Sequence, residues 1–111
     1  MKIEQNIINK FIDINDGVSI IRTRISEGKI DSVVKQLIIL QLDYAVKAIS
    51  GANKNEVHLA DVSAELMHSL IFVHNAQALA FKFNISKLLV NELGLIKDEI
   101  KEVATDFINL I

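Results

Sequence analysis

An all-α, antiparallel four-helix bundle is the fold this sequence predicts, and three observations carry the prediction. The last quarter holds a strict heptad seam: Leu89, Leu93, Ile96, Ile100, Val103, Phe107 and Leu110 follow at spacings of 4, 3, 4, 3, 4 and 3. The 111 residues include no proline and only four glycines, too few turn residues for an all-β fold. Four helical segments of similar length are separated by connections of a few residues, which makes neighbours antiparallel. The helices are expected near 2–27, 31–50, 57–83 and 86–110, in a single domain spanning 1–111.

In the first segment Ile7, Phe11, Ile14, Val18, Ile21 and Ile25 keep spacings of 4, 3, 4, 3 and 4. The register runs through Asp16–Gly17 without resetting. One continuous helix is therefore expected, with Gly17 tolerated inside it at about 1 kcal/mol. Gly28 sits where a helix C-terminal glycine belongs. Asp31 is the expected N-cap of the second helix, and Gly51 its expected stop. On that helix Gln36, Asp43, Lys47 and Ser50 fall in a narrow stripe. Apolar residues, among them Ile39, Leu42 and Val46, cover most of the rest. So wide an arc exceeds what one bundle core buries and leaves a surplus for a partner surface.

Asn53 with Glu56 three residues later reads as a capping box for the third helix. The seam of that helix is expected to be Ser63, Met67, Leu70, His74, Gln77 and Phe81. Continued, the register would reach Asn84 and Asn91, whereas the fourth seam starts one residue out of phase at Leu89. A helix break near Asn84 follows. Ser86 is placed to cap the next helix, and Ile85 to staple onto Val90.

Composition narrows the function. The chain is 50% hydrophobic with a mean hydropathy of +0.33, which excludes disorder. Its net charge is −2, and its only arginines are Arg22 and Arg24. Phosphate-binding proteins carry a basic excess, so the balance argues against nucleic acid. The two arginines and Lys29 form a small basic patch, but two residues apart on a helix the arginines diverge. Without cysteine there is no disulfide framework, thiolate nucleophile or cysteine metal cluster. The longest stretch free of Asp, Glu, Lys and Arg is Leu66–Phe81, 16 residues, against the roughly 20 that a membrane span needs. The N-terminus carries no signal-peptide apolar block, so a cytoplasmic protein is expected.

Three groups of residues are candidates for chemistry. His58, Asp61, Glu65 and His68 lie at spacings of 3, 4 and 3 and share one helix face. Glu65-x-x-His68 is the pattern di-iron bundles use. Such bundles need a second pair and two further inward carboxylates, so the stripe reads as a solvated face, with no metal or other cofactor expected. His74 and Gln77 sit within the apolar face and need hydrogen-bond partners if buried. They read as a pair that fixes register, as a polar patch in a subunit interface, or as a pH-sensitive switch. On the fourth helix, Glu92 and Glu99 flank the seam on one side and Lys97 on the other, as rim charges. No nucleophile–base–orienter set and no glycine-rich phosphate loop is present, so no enzyme is expected.

Asp16–Gly17 in the first helix, Glu27–Gly28 closing it, and the run Glu92-Leu93-Gly94-Leu95-Ile96 resemble the flagellin export chaperones, which are small cytosolic helical bundles. The spacing between the two glycine marks departs from theirs, and Tyr44, the only tyrosine, cannot supply an N-terminal tyrosine motif. These short matches of common residues assign no family, and fold alone carries no function.

The function expected is that of a small, non-enzymatic protein–protein interaction module: an adaptor, a chaperone-like protein or an inhibitor. It associates with itself as a homodimer or larger assembly, or grips another protein's helix, through excess apolar surface. Ile39, Leu42, Val46, His74 and Gln77 are the expected interface. The alternatives are a di-metal bundle using Asp61, Glu65 and His68, and a nucleic-acid-associated regulator using Arg22 and Arg24.

Overall fold

A computed structural model of the chain describes residues 5–52 and 59–109. It holds four helices, α1 (Gln5–Glu27), α2 (Ser32–Ala52), α3 (Leu59–Lys82) and α4 (Lys87–Asn109), and no strand among the described residues. Each helix packs against two others in cyclic order, α1 on α2, α2 on α3, α3 on α4 and α4 on α1. The polar contacts show the antiparallel order directly. Asn15 meets Ser50 and Arg22 meets Asp43, so rising numbers on α1 face falling numbers on α2. Lys10 with Asp106 and Arg24 with Glu92 do the same for α1 and α4. The product is a four-helix bundle measuring 44 × 19 × 18 Å.

The α1 and α4 seams are buried as their spacing predicts. Ile7, Phe11, Ile14, Val18, Ile21 and Ile25 line the core from α1, and Leu89, Leu93, Ile96, Ile100, Val103 and Phe107 from α4. α1 runs unbroken through Gly17. A methyl group there would lie 3.6 Å from Ile96 Cδ1, an ordinary van der Waals contact. Gly17→Ala should therefore raise stability by about 0.5–1 kcal/mol, through lost freedom of the unfolded chain. Urea unfolding measures this, and a loss of stability would contradict the helical placement.

The helix ends follow local chemistry. Asp31 Oδ1 accepts the N–H groups of Val33 at 3.0 Å and Val34 at 3.2 Å, which caps α2. Ser86 Oγ accepts the Leu89 N–H at 3.3 Å and caps α4, with Ile85 and Val90 half-buried against the core. α3 ends at Asn84, whose φ of 52° is left-handed. There the Asn84 N–H donates to Phe81 O at 3.2 Å and the Ile85 N–H to Ala80 O at 3.0 Å, the paired bonds of a Schellman turn. Asparagine is one of the few non-glycine residues that enters this region readily.

Gly28 directly follows the last residue of α1, where it is expected, while the Gly51 expectation is corrected. No glycine among the described residues has a positive φ, so Gly28 ends the helix without a left-handed turn. α1 closes instead in a tighter turn, the Gly28 N–H donating to Ile25 O at 3.2 Å. Gly51 does not stop α2, which continues to Ala52. Its missing Cβ makes room for Glu65, whose Oε2 lies 3.2 Å from where that atom would stand. The Asn53–Glu56 capping box, His58 and Leu110 lie outside the described residues.

The larger correction is the rotation of α3. Its inner face is Val62, Leu66, Ser69, Val73, Ala76 and Ala80, each one residue before the expected seam. Met67, His74 and Phe81 point outward, Phe81 with 73% of its surface exposed. Small side chains explain the choice. Ala76 and Ala80, with Ala45 and Ala48 buried on α2, let the two helices mesh closely, and α2–α3 is the most extensive interface in the bundle. Ser69 is buried without an unmet hydroxyl, because Oγ–H donates to Leu66 O at 2.7 Å.

Ion pairs on the rim fix helix register more than they stabilise. The Lys10 ammonium is held above its ordinary value, chiefly by its hydrogen bond to Asp106. A raised lysine value means that this small contribution is present at neutral pH and disappears only as alkali deprotonates Lys10.

Candidate functional site

The residues that sequence patterning singles out are not brought together. Leu42 is fully buried inside the bundle and takes no part in any outer face. Ile39 and Val46 are half-buried and packed against the core. His74 and Gln77 belong to α3, on the flank that faces α4. There Lys97 Nζ donates to Gln77 Oε1 at 2.8 Å and lies 3.0 Å from His74 Nδ1. Lysine has only protons to offer, so the Lys97 ammonium is the donor of this contact. Gln77 Nε2 donates to Val90 O at 3.0 Å, and a Cβ on Gly94 would come within 3.0 Å of the same atom. The pair is thus a satisfied polar brace between α3 and α4, with Gly94 making room for the carboxamide.

The arginines also diverge. Arg22 Nε lies 2.5 Å from Asp43 on α2, and its guanidinium is pushed above its ordinary value by that hydrogen bond. Arg24 lies 2.6 Å from Glu92 on α4. Each is engaged by a carboxylate of its own chain, so the two do not form a shared phosphate-binding patch. Glu65 is half-buried beside Gly51, while Asp61 and His68 are exposed. Glu65 Oε1 and His68 Nδ1 are 4.0 Å apart. Among the described residues no three His, Cys, Asp or Glu side chains come together as metal ligands. Nor is any described helix long and apolar enough to cross a membrane.

One feature of α2 stands out from the scattered apolar residues of the surface. Val33, Leu37, Leu40 and Tyr44 follow at spacings of 4, 3 and 4, the spacing of a core seam, yet they face outward. Val33 is 65% exposed, and the other three are 42–44% exposed. The stripe lies on the α3 side of α2. Gln41 accepts from Asn75 at 3.2 Å, the Tyr44 and Phe72 rings stand 5.3 Å apart, and Glu65 occupies the space beside Gly51. Extended towards the other end, this register sets Leu37 beside Leu79 and Val33 beside Phe83. Leu79 is half-buried and Phe83 half-exposed.

The result is an apolar face running along α2 and the adjoining edge of α3. The α3–α4 flank also exposes Met67, Phe81 and Ile108, but the His74–Lys97–Gln77 brace crosses it with a charge. No such group interrupts the stripe between Val33 and Tyr44. Its spacing is legible in the sequence, but the neighbouring seam of Val34, Ile38, Leu42, Ala45 and Ile49 masks it. No protein-family model, curated protein or solved structure matches the chain.

Proposed function

We propose that this chain is a non-enzymatic protein–protein interaction module, and that the outer face of α2 with the adjoining edge of α3 is its contact surface. The observation that carries this reading is the second apolar seam, Val33, Leu37, Leu40 and Tyr44, left facing outward. Single exposed apolar residues need no explanation, whereas a contiguous stripe in heptad register does. Covering five large side chains that are about half exposed, Phe83 included, recovers about half of the 1.5–3 kcal/mol each gives on full burial. That is about 4–8 kcal/mol for the face, of the same order as the roughly 4–15 kcal/mol that association costs. The face therefore works against a partner that brings an apolar face of its own. A helix laid along the stripe, read through anchors three and four residues apart, is the mode of recognition that fits.

Cross-linking in cells tests the reading whatever the partner. A short amine-reactive reagent should convert the 12.4 kDa chain into discrete adducts. The Leu37→Gln/Leu40→Gln variant should lose them while keeping its helical circular dichroism, since glutamine is a good helix former. An adduct pattern unchanged by the double substitution, or no adduct from the native chain, would overturn the proposal.

A further inference from the structure

Resting on that reading, the geometry points to a second copy of this chain as the occupant of the face, joined by a two-fold axis that packs the two α2 helices antiparallel. The stripe is self-complementary. The spacing of Val33, Leu37, Leu40 and Tyr44 reads 4, 3, 4 in both directions. Reversed against itself, the stripe sets Leu37 against Leu40 of the second copy, and Val33 against Tyr44 of the second copy. Side chains of equal size meet at the centre, and the smallest meets the largest at each end. A parallel pair would set Tyr44 against Tyr44 and Val33 against Val33, crowding one end and leaving the other hollow.

Charge favours the same arrangement. Lys47 stands three residues beyond Tyr44 and continues the stripe. In a parallel pair the two Lys47 ammonium groups would face each other across the seam. In the antiparallel pair they lie at opposite ends, about 25 Å apart at 1.5 Å of rise per residue. Phe83 is half-exposed, and the α2–α3 register extends towards it from Val33, so it adds aromatic surface near the end of the seam where Tyr44 of the second copy would pack. The contact is isologous: the same patch serves both copies, and the assembly closes at two.

The chain contains no cysteine, so introduced thiols report the pairing without background. Under mild oxidation the Val33→Cys/Tyr44→Cys variant should form a covalent dimer. A mixture of the two single variants should also form one, whereas neither single variant should do so alone. In the antiparallel pair two Cys at position 33 are about 16 Å apart along the axis, far beyond disulfide reach. Leu37→Cys mixed with Leu40→Cys is the second pair and should also form a covalent dimer. Two Cys at position 37, or two at position 40, lie only about 4.5 Å apart along the axis, so single variants discriminate at positions 33 and 44 alone. Val33→Cys or Tyr44→Cys alone cross-linking as readily as their mixture would overturn the arrangement. A dimer by sedimentation without cross-linking in either pair would overturn it too, and would leave the interaction reading standing. A native chain that stays monomeric would remove the second copy as occupant. Adducts in cells that Leu37→Gln/Leu40→Gln abolishes would then still support the broader reading, and their absence would end both.

Discussion

Phe11→Ala should lower the stability of the bundle by about 3–5 kcal/mol, the usual cost of truncating a fully buried phenylalanine. Phe11 has no exposed surface and is the second residue of the α1 seam, between Ile7 and Ile14. Its removal forfeits the transfer energy of the ring and leaves a cavity that rigid neighbouring helices fill only in part. Domains of this size are stable by about 5–15 kcal/mol in total, so the substitution uses up a large share. Phe81→Ala is the matched comparison. The residue type is the same, but the ring sits on the outer side of α3, and its loss should change stability by no more than about 0.5 kcal/mol. Urea unfolding of both variants gives the answer. Comparable losses at the two positions would mean that α3 is turned the other way, with the Met67–Phe81 side inward.

Leu40→Glu should weaken self-association by at least about a hundredfold while leaving the isolated chain folded. Leu40 is part of the outer stripe, and the two-fold axis brings the substitution into the seam twice. An unpaired carboxylate forced into an apolar contact costs several kcal/mol, and each 1.4 kcal/mol is a factor of about ten in the dissociation constant. The folded monomer tolerates the change, because the position is nearly half exposed and glutamate favours helix. Dilution of a fluorescently labelled chain, followed by anisotropy, measures the shift. An unchanged dissociation constant would remove Leu40 from the interface. A loss of helical signal in the variant would instead place Leu40 within the monomer's core packing.

The legibility of this chain varies by helix, for physical reasons. On α1 and α4 the inward residues are large and recur without interruption, so the 4–3 spacing of Ile7 to Ile25 and of Leu89 to Phe107 has one reading. On α3 size misleads. The inner face uses Ser69, Ala76 and Ala80, whereas Met67, Ile71 and Phe81 lie outside, so the larger apolar residues mark the wrong side. Close packing against α2 rewards small residues, and that reward depends on the partner helix rather than on α3 itself. On α2 nearly every arc is apolar. Which arc faces outward is set by where α1 and α3 sit, hence the move from Ile39, Leu42 and Val46 to Val33, Leu37, Leu40 and Tyr44. Surplus apolar surface was readable from composition, but its position required the bundle. His74 and Gln77 were readable as a polar pair needing partners. Their partner, Lys97, comes from another helix and could not be read locally.

Sedimentation equilibrium of the native chain, run from low to high micromolar concentration, tests most directly whether the outer face of α2 is a contact surface between copies. The mass should rise with concentration and level off at twice the 12.4 kDa of the chain. A mass of 12.4 kDa held across the whole range would contradict self-association through this face.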